Sequence, residues 1–279
     1  MSGYDDLPPT YGGAITSTGN PRVKGLVELR KRKARDLEGV TLIDGYDELS
    51  LALDAGVTVG TLYYCPELVN DASRLSLAET LAGLGSSVVP LGRAAFAKAS
   101  YRESPDGWLA VVPSPQRPLA ALVLPDLPLV LVAESVEKPG NLGAMLRTAE
   151  AAGVDAVVAA SPVTDWGNPN VIRASKGTVF AVPIASATTS EAIAWLRDQG
   201  LSIVVATPET DVLVTDVDLT GGTAVVVGAE HAGVSAAWRR AADHSARIPM
   251  AGRVNSLNVA TSAAVVLFEA VHQRSAALA

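Results

Sequence analysis

The stretch PLVLVAESVEKPGNLGAMLRTAEAAGVDAVVAA, residues 128–160, decides the fold. PLVLVAE (128–134) is an unbroken apolar run of strand length. A polar loop follows, then a helix, NLGAMLRTAEAAG, opening at Asn141, and then a second run, DAVVAA (155–160). Apolar runs that do not alternate, separated by a helix, indicate a parallel sheet covered on both faces. The same grammar continues downstream. A polar loop leads to a short helix near 170–176, and VFAVPIA (179–185) reads as a strand. A helix with a capping-box start, Thr188 to Glu191, closes at Gly200. LSIVVAT (201–207), TAVVVGAE (223–230) and ARIPM (246–250) complete about six strands, and a last helix spans about 256–273. Ligands of such sheets bind beyond the strand carboxyl ends. The loops after 128–134, 201–207, 223–230 and 246–250 are therefore where chemistry is expected.

Upstream lies a second, smaller α/β unit over 20–113. Its expected strands are VTLID (40–44), TVGTLYYC (58–65), SSVVPL (86–91) and GWLAVVP (107–113). Residues 1–19, rich in Gly, Ser and Thr, read as a flexible arm. Between Pro113 and Pro128 lie five of the chain's 17 prolines, which marks 114–127 as a linker to a domain spanning 128–279.

Composition excludes several classes. With 48% hydrophobic and 18% charged residues among 279, the chain is an ordinary globular protein. No apolar stretch reaches the roughly 18 to 20 residues of a spanning helix, and the start has neither basic nor apolar signal character. A cytoplasmic location is expected. Cys65 is the only cysteine, so an internal disulfide and a cysteine-cluster zinc site are excluded. His231, His244 and His272 lack metal-ligand spacing, and no metal is expected.

The net charge of −7 argues against a nucleic-acid partner until its distribution is considered. NPRVKGLVELRKRKAR (20–35) holds Arg22, Lys24, Arg30, Lys31, Arg32, Lys33 and Arg35 against Glu28 alone. That window is +6, leaving −13 on the remainder. Two readings stand: a phosphate-binding patch on an acidic protein, or a solvated helix face.

Two phosphate cradles fail. EKPGNLG lacks the third glycine of a dinucleotide fingerprint, which disfavours a nicotinamide dehydrogenase. GAEHAG (228–233) has P-loop glycine spacing, but Val234 and Ser235 follow where Lys-Ser/Thr is required. A sheet of this class without a phosphate cradle suits a cofactor without phosphate, such as S-adenosylmethionine, whose adenine edge can be read by backbone groups of kinked loops.

Three segments carry a resemblance: ESVEKPGNLGAMLRTAEAAGVDAVV (134–158), VIRASKGTVFAVPI (171–184) and VVVGAEHAGVS…ARIPMAGRVNSLNVATSAAVVLFEA (225–270). They resemble the three signature motifs of the SpoU/TrmH branch of the SPOUT RNA methyltransferases, over essentially all of 128–273. The unit at 20–113 is similar, in layout and in its NPRVK start, to the ribosomal-protein-like substrate-binding domain that often precedes the catalytic one. The arrangement is also similar to rRNA methyltransferases that protect producers of avilamycin or thiostrepton. The resemblance implies a parallel-sheet domain with a trefoil knot, a homodimer, and S-adenosylmethionine-dependent methylation of a ribose 2′-hydroxyl in structured RNA, with large-subunit ribosomal RNA expected. The rival readings are a tRNA-modifying SPOUT enzyme and a non-catalytic RNA-binding factor of the same fold.

Residue by residue, the resemblance implies the following. Arg147 matches the motif arginine. A guanidinium keeps its proton to about pH 12, which favours holding a phosphate beside the target ribose and stabilising charge on the 2′-oxygen. The family is also described with this arginine as proton acceptor, and both roles stay open. Asn141 caps its helix or contacts RNA or the arginine. Glu230 orients Arg147 or a substrate group. Ser256, also a candidate N-cap, and Asn258 match positions near the ribose. The backbones of Thr207, Gly228, Ile248, Met250 and Leu257 wrap the adenosine, with Gly228 letting the chain approach the cofactor. Arg173, Ser175 and Lys176 help to bind RNA. The methyl donor carries its own sulfonium leaving group, so alignment of the 2′-oxygen, worth roughly 7–11 kcal/mol, is the main task.

Overall fold

The structure is a computed structural model that describes residues 13–229, 232–254 and 256–277. Its first elements are α1 (Pro21–Glu28), α2 (Arg32–Glu38), β1 (Val40–Asp44), α3 (Tyr46–Asp54), β2 (Thr61–Tyr64), α4 (Ser76–Gly83), β3 (Ser87–Pro90), α5 (Arg93–Ala99) and β4 (Trp108–Pro113). There follow β5 (Leu129–Glu134), α6 (Pro139–Ala151), β6 (Ala156–Ala160), α7 (Pro169–Ala174), β7 (Ile184–Ala187) and α8 (Thr189–Asp198). The last are β8 (Ser202–Ala206), β9 (Thr223–Val227), α9 (Ala236–Ala241), β10 (His244–Ala246) and α10 (Val259–Ala277).

The chain divides into two compact units. One holds the residues through Pro115 together with Trp166–Phe180, and the other holds Gln116–Asp165 and the chain from Ala181 onward. The segment 166–180 thus clusters with the first unit, although its position in the sequence placed it with the second. The reason is packing: Trp166, Val171 and Ile172 are buried, α7 lies on β1, and Thr41 Oγ1 donates to Gly167 O.

In the first unit the sheet order is β1-β4-β2-β3, with β4 antiparallel to both neighbours and β2 parallel to β3. Val23, Leu26, Leu42, Tyr63, Val89, Phe96 and Leu109 form its core. Ile15 is buried and bridges Leu91, so the described part of the expected arm is tied down. Asp44 at the end of β1 is buried, which pushes its carboxyl pKa up; hydrogen bonds from Ser100 and Tyr101 and the Arg102 charge oppose the shift. Arg102 Nη2 also meets Glu48 Oε2 at 2.6 Å.

The second unit has six parallel strands in the order β10-β8-β9-β5-β6-β7. Side chains alternate across a strand. Val130 and Val132 join Val226, Leu196 and Trp238 in a core beneath α8 and α9. Against β9 and α6 lies α10. The capping box of α8 is present, with Thr188 accepting from the Glu191 N–H and Glu191 accepting from the Thr188 N–H.

Several element boundaries differ from expectation, and three of the differences have a direct structural cause. The strand expected over 179–185 begins only at Ile184, because Thr178–Phe180 turn as a 3₁₀ helix after Gly177, whose φ is +86°. The strand expected over 246–250 lies at His244–Ala246. Arg247 instead bonds Val212 and Val214, and Pro249 has no N–H to continue a ladder. The last helix starts at Val259, not near Ser256, because Asn258 caps it by accepting from the Ala260 N–H at 3.0 Å.

Near its end α10 is clamped by Arg274, which donates to the carbonyls of Leu127, Pro128, Leu219 and Gly221 at 2.6–3.1 Å. Partial burial lowers the Arg274 pKa, with Asp155 opposing the shift. Arg274→Ala is expected to cost about 2–3 kcal/mol, the scale of lost charge-assisted hydrogen bonds. Thermal unfolding would then start several degrees lower; an unchanged midpoint would show that water replaces the clamp without loss.

Candidate active site

Beyond the carboxyl end of β5 the chain turns directly into α6. The helix starts at Pro139, a residue preorganised for the first helical position, so Asn141 lies inside the first turn and does not cap it. Its side chain is used elsewhere. Asn141 Oδ1 accepts from Asn258 Nδ2 at 3.2 Å, across 117 residues of sequence. Asn258 therefore both caps α10 and joins the first motif to the third. Ser256 and Leu257, just before it, are exposed. Arg147 lies about 9 Å further along α6, from six residues at 1.5 Å each. It is exposed and makes no hydrogen bond or ion pair with another described residue. Glu230 lies outside the described residues.

Four of the five expected cofactor residues follow three adjacent strands, β10, β8 and β9, and the fifth, Leu257, lies just before α10. Thr207 follows β8: it is buried, its N–H donates to Ala246 O at 2.9 Å, and its Oγ1 accepts from the Glu209 N–H at 3.2 Å. Ile248 and Met250 follow β10 and are half-buried. Gly228 follows β9, but the crowding there is internal. A Cβ on Gly228 would lie 2.2 Å from the carbonyl carbon and oxygen of Gly233. The chain returns on itself, with Gly233 at φ +63° and its N–H donating to Ala229 O at 2.9 Å. The close approach that the sequence assigned to a cofactor is thus made by the protein's own backbone. Part-open apolar side chains and main-chain groups are the surface these loops present, and they fit a neutral adenosine without phosphate. Among the described residues no group of three His, Cys, Asp or Glu side chains could hold a metal ion.

The basic segment fits neither simple reading. It breaks into α1 and α2, and three of its arginines serve the fold. Arg22 is buried, and Arg35, 4% exposed, donates from Nη1 to the carbonyls of Leu29 and Arg30. Arg30 donates to Lys98 O at 2.8 Å and Ser100 O at 2.6 Å, and its guanidinium lies 5.1 Å from the Tyr101 ring centre. Lys31 pairs with Glu28 and Arg32 with Asp36, both at the surface, where such pairs contribute little. Lys24 and Lys33 are exposed and have no ion pair to a described residue. Arg173, Ser175 and Lys176 belong to this first unit, whereas Arg147 and Asn258 belong to the second. Arg173 and Lys176 are exposed; Ser175 is fully buried, its hydroxyl donating to Ile172 O, which gives it an internal role at the end of α7.

The model of the SpoU rRNA Methylase family matches residues 128–268. The chain belongs to that family. A second model, the MRM3-like substrate binding domain, matches residues 20–110. A 23S rRNA (uridine(2479)-2'-O)-methyltransferase of Streptomyces viridochromogenes is 32% identical, over 88% of this chain and 87% of the relative. A 23S rRNA (guanosine(2553)-2'-O)-methyltransferase of Bacillus subtilis is 31% identical, over 91% and 97%. The crystal structure of an AdoMet-bound rRNA methyltransferase from Sinorhizobium meliloti has a TM-score of 0.85 and 30% identity, covering 93% of this chain and 97% of that one.

In this SpoU methylase one polar residue at the strand ends escaped sequence reasoning. Glu134, the last residue of β5, is 4% exposed and has both carboxylate oxygens engaged. Oε2 accepts from the Ser235 N–H at 2.7 Å and Oε1 from the Thr189 hydroxyl at 3.2 Å. Thr189 Oγ1 lies 3.0 Å from Ser161 Oγ, at the end of β6. Ser135 and Ser161, at φ +52° and +48°, hold left-handed turns after β5 and β6. The available signal was one acid ending an otherwise apolar strand, VLVAE, in the register that places it beside Gly228.

Proposed function

We propose that the protein transfers the methyl group of S-adenosylmethionine to a ribose 2′-hydroxyl of large-subunit ribosomal RNA, acting in the cytoplasm as a homodimer. The observation that carries the reading is the Asn141–Asn258 hydrogen bond, which joins the first and third motifs on the helix that also carries Arg147, unpaired among the described residues. When bound, S-adenosylmethionine supplies an electrophilic methyl carbon on a sulfonium centre. The chain's own residues then have to place and desolvate the attacking oxygen. Thr207, Gly228, Ile248, Met250 and Leu257 would hold the adenosine. Arg147 is available to grip a phosphate and to meet negative charge growing on the 2′-oxygen. Asn258, fixed between its cap and Asn141, offers a rigid polar edge beside the ribose.

The dimer is supported by α10. Val259, Ala263, Val266, Leu267 and Ala270 are buried, yet Thr261, Val265, Phe268 and His272 form a second, exposed stripe at i, i+4, i+7 and i+11. Val265 and Phe268 put exposed apolar surface on the side opposite the buried face, which calls for a second partner. The family's trefoil knot belongs to the same proposal and is supported by the return of α10 from edge strand β10 to interior strand β9. Among the described residues no helix is long and apolar enough to cross a membrane.

Tritiated S-adenosylmethionine with purified ribosomal RNA or tRNA tests the reading. Label is expected at one 23S nucleotide, with its 3′ linkage made resistant to alkali. Label confined to tRNA, or to a base with the linkage still labile, would sink it.

A further inference from the structure

We propose that Glu134 is a positioning residue for methyl transfer, a buried carboxylate that locks the chain following β9 and the start of α8 onto the end of β5. The proposal rests on the reading of Gly228 as part of the cofactor site. The register Ala133↔Val227 puts Glu134 beside Gly228. Seven residues beyond Gly228, the Ser235 N–H donates to Glu134 Oε2 at 2.7 Å. On either side of Ser235, Val234 and Trp238 are packed in the core beneath α8 and α9. Removing the carboxylate therefore releases the Ser235 N–H while those two side chains stay packed.

The chemistry of the group points the same way. Among the described residues Glu134 has no ion pair, and its carboxylate is held by hydrogen bonds from Ser235 and Thr189. A buried carboxylate is costly unless its oxygens are hydrogen-bonded, as both are here, and a charged acceptor makes the short, strong contact seen at Ser235. Its other oxygen reaches the Thr189 hydroxyl, which in turn meets Ser161. One side chain thereby ties together the chain ends after β5, β6, β7 and β9. Three of these connections are polar contacts at the rim of the sheet, where they set loop geometry, not core packing.

Three variants test the idea: Glu134→Ala, Glu134→Gln and Thr189→Val. Glu134→Ala is expected to raise the Kd for S-adenosylhomocysteine and the KM for S-adenosylmethionine at least about tenfold, which corresponds to ~1.4 kcal/mol. RNA affinity and kcat at saturation should stay close to wild type, a split that general loosening of the fold would not give. Glu134→Gln keeps the length and one strong acceptor and should recover most of the affinity. Amide exchange should rise at Ser235 while the β5 amides stay protected. Unchanged cofactor affinity in a folded Glu134→Ala protein would overturn the proposal. If that variant does not fold, Thr189→Val decides, since it removes one hydroxyl at constant shape; an unaltered KM there would overturn the proposal equally. Absence of S-adenosylhomocysteine binding to the wild type would instead overturn the cofactor reading beneath it.

Discussion

Arg147→Ala is expected to lower methyl transfer by at least about a hundredfold, the scale on which removal of a single charge-stabilising donor acts, with S-adenosylhomocysteine affinity kept within a few-fold. The structure makes this a clean experiment. Arg147 is exposed and makes no hydrogen bond or ion pair with another described residue, and the thermal midpoint is expected to stay close to that of the wild type. It lies on α6, which follows β5, whereas Thr207, Gly228, Ile248 and Met250 follow β8, β9 and β10. Arg147→Lys should be severely impaired as well, because a point charge cannot reproduce the planar two-pronged donor that suits a phosphate. Near-normal turnover by either variant would show that another residue stabilises the reacting oxygen.

The second large effect concerns the basic segment, and the structure changes which residues should be altered. Arg30 holds the carbonyls at the end of α5, and Arg22 and Arg35 are buried, so replacing them would perturb the fold as well as any RNA contact. Lys24, Lys31, Arg32 and Lys33 are exposed and can be changed to Ala together. Ribosomal RNA binding is then expected to weaken more than tenfold at moderate salt. The log–log salt slope should flatten by roughly 0.7–0.9 for each phosphate that is no longer neutralised. Cofactor affinity should not change. RNA affinity that stays the same at low and moderate salt would move the interface to Arg173, Lys176 and Arg253. Arg30→Ala serves as the contrast: its main readout should be a lower unfolding temperature.

Much of this fold is legible in the sequence alone. The runs at 128–134, 155–160, 201–207 and 223–230 became β5, β6, β8 and β9 within one to three residues, because buried parallel strands leave few positions for polar side chains. The Thr188–Glu191 box is a local device and was equally readable. What failed was whatever depends on distant partners. VFAVPIA looks like a strand by composition, but Gly177 turns the chain and delays pairing to Ile184. Asn141 stood between a cap and a contact to RNA or the arginine; Pro139 takes the first helical position, and the Asn141 amide meets Asn258. Charge patterning located the basic window but could not say that Arg22, Arg30 and Arg35 turn to the protein, since a long side chain can aim its guanidinium at carbonyls far along the chain. The role of Glu134 was hidden for the same reason, since its partners are 55 and 101 residues away.

The contact between Asn141 and Asn258 also bears on when the enzyme can first work. Contacts this far apart in sequence raise the contact order and slow the search for the native state. The pairing of β5 with β9 adds to that separation, and β5 stays without one of its two neighbours until β9 has been synthesised. During translation the first unit can collect most of its residues early, whereas the capped start of α10 has to emerge before the two asparagines can meet. A nascent chain halted before Val259 would therefore carry the exposed lysines of α1 and α2 without an assembled transfer centre. In the order of synthesis the basic surface of α1 and α2 is therefore complete long before the Asn141–Asn258 contact can form.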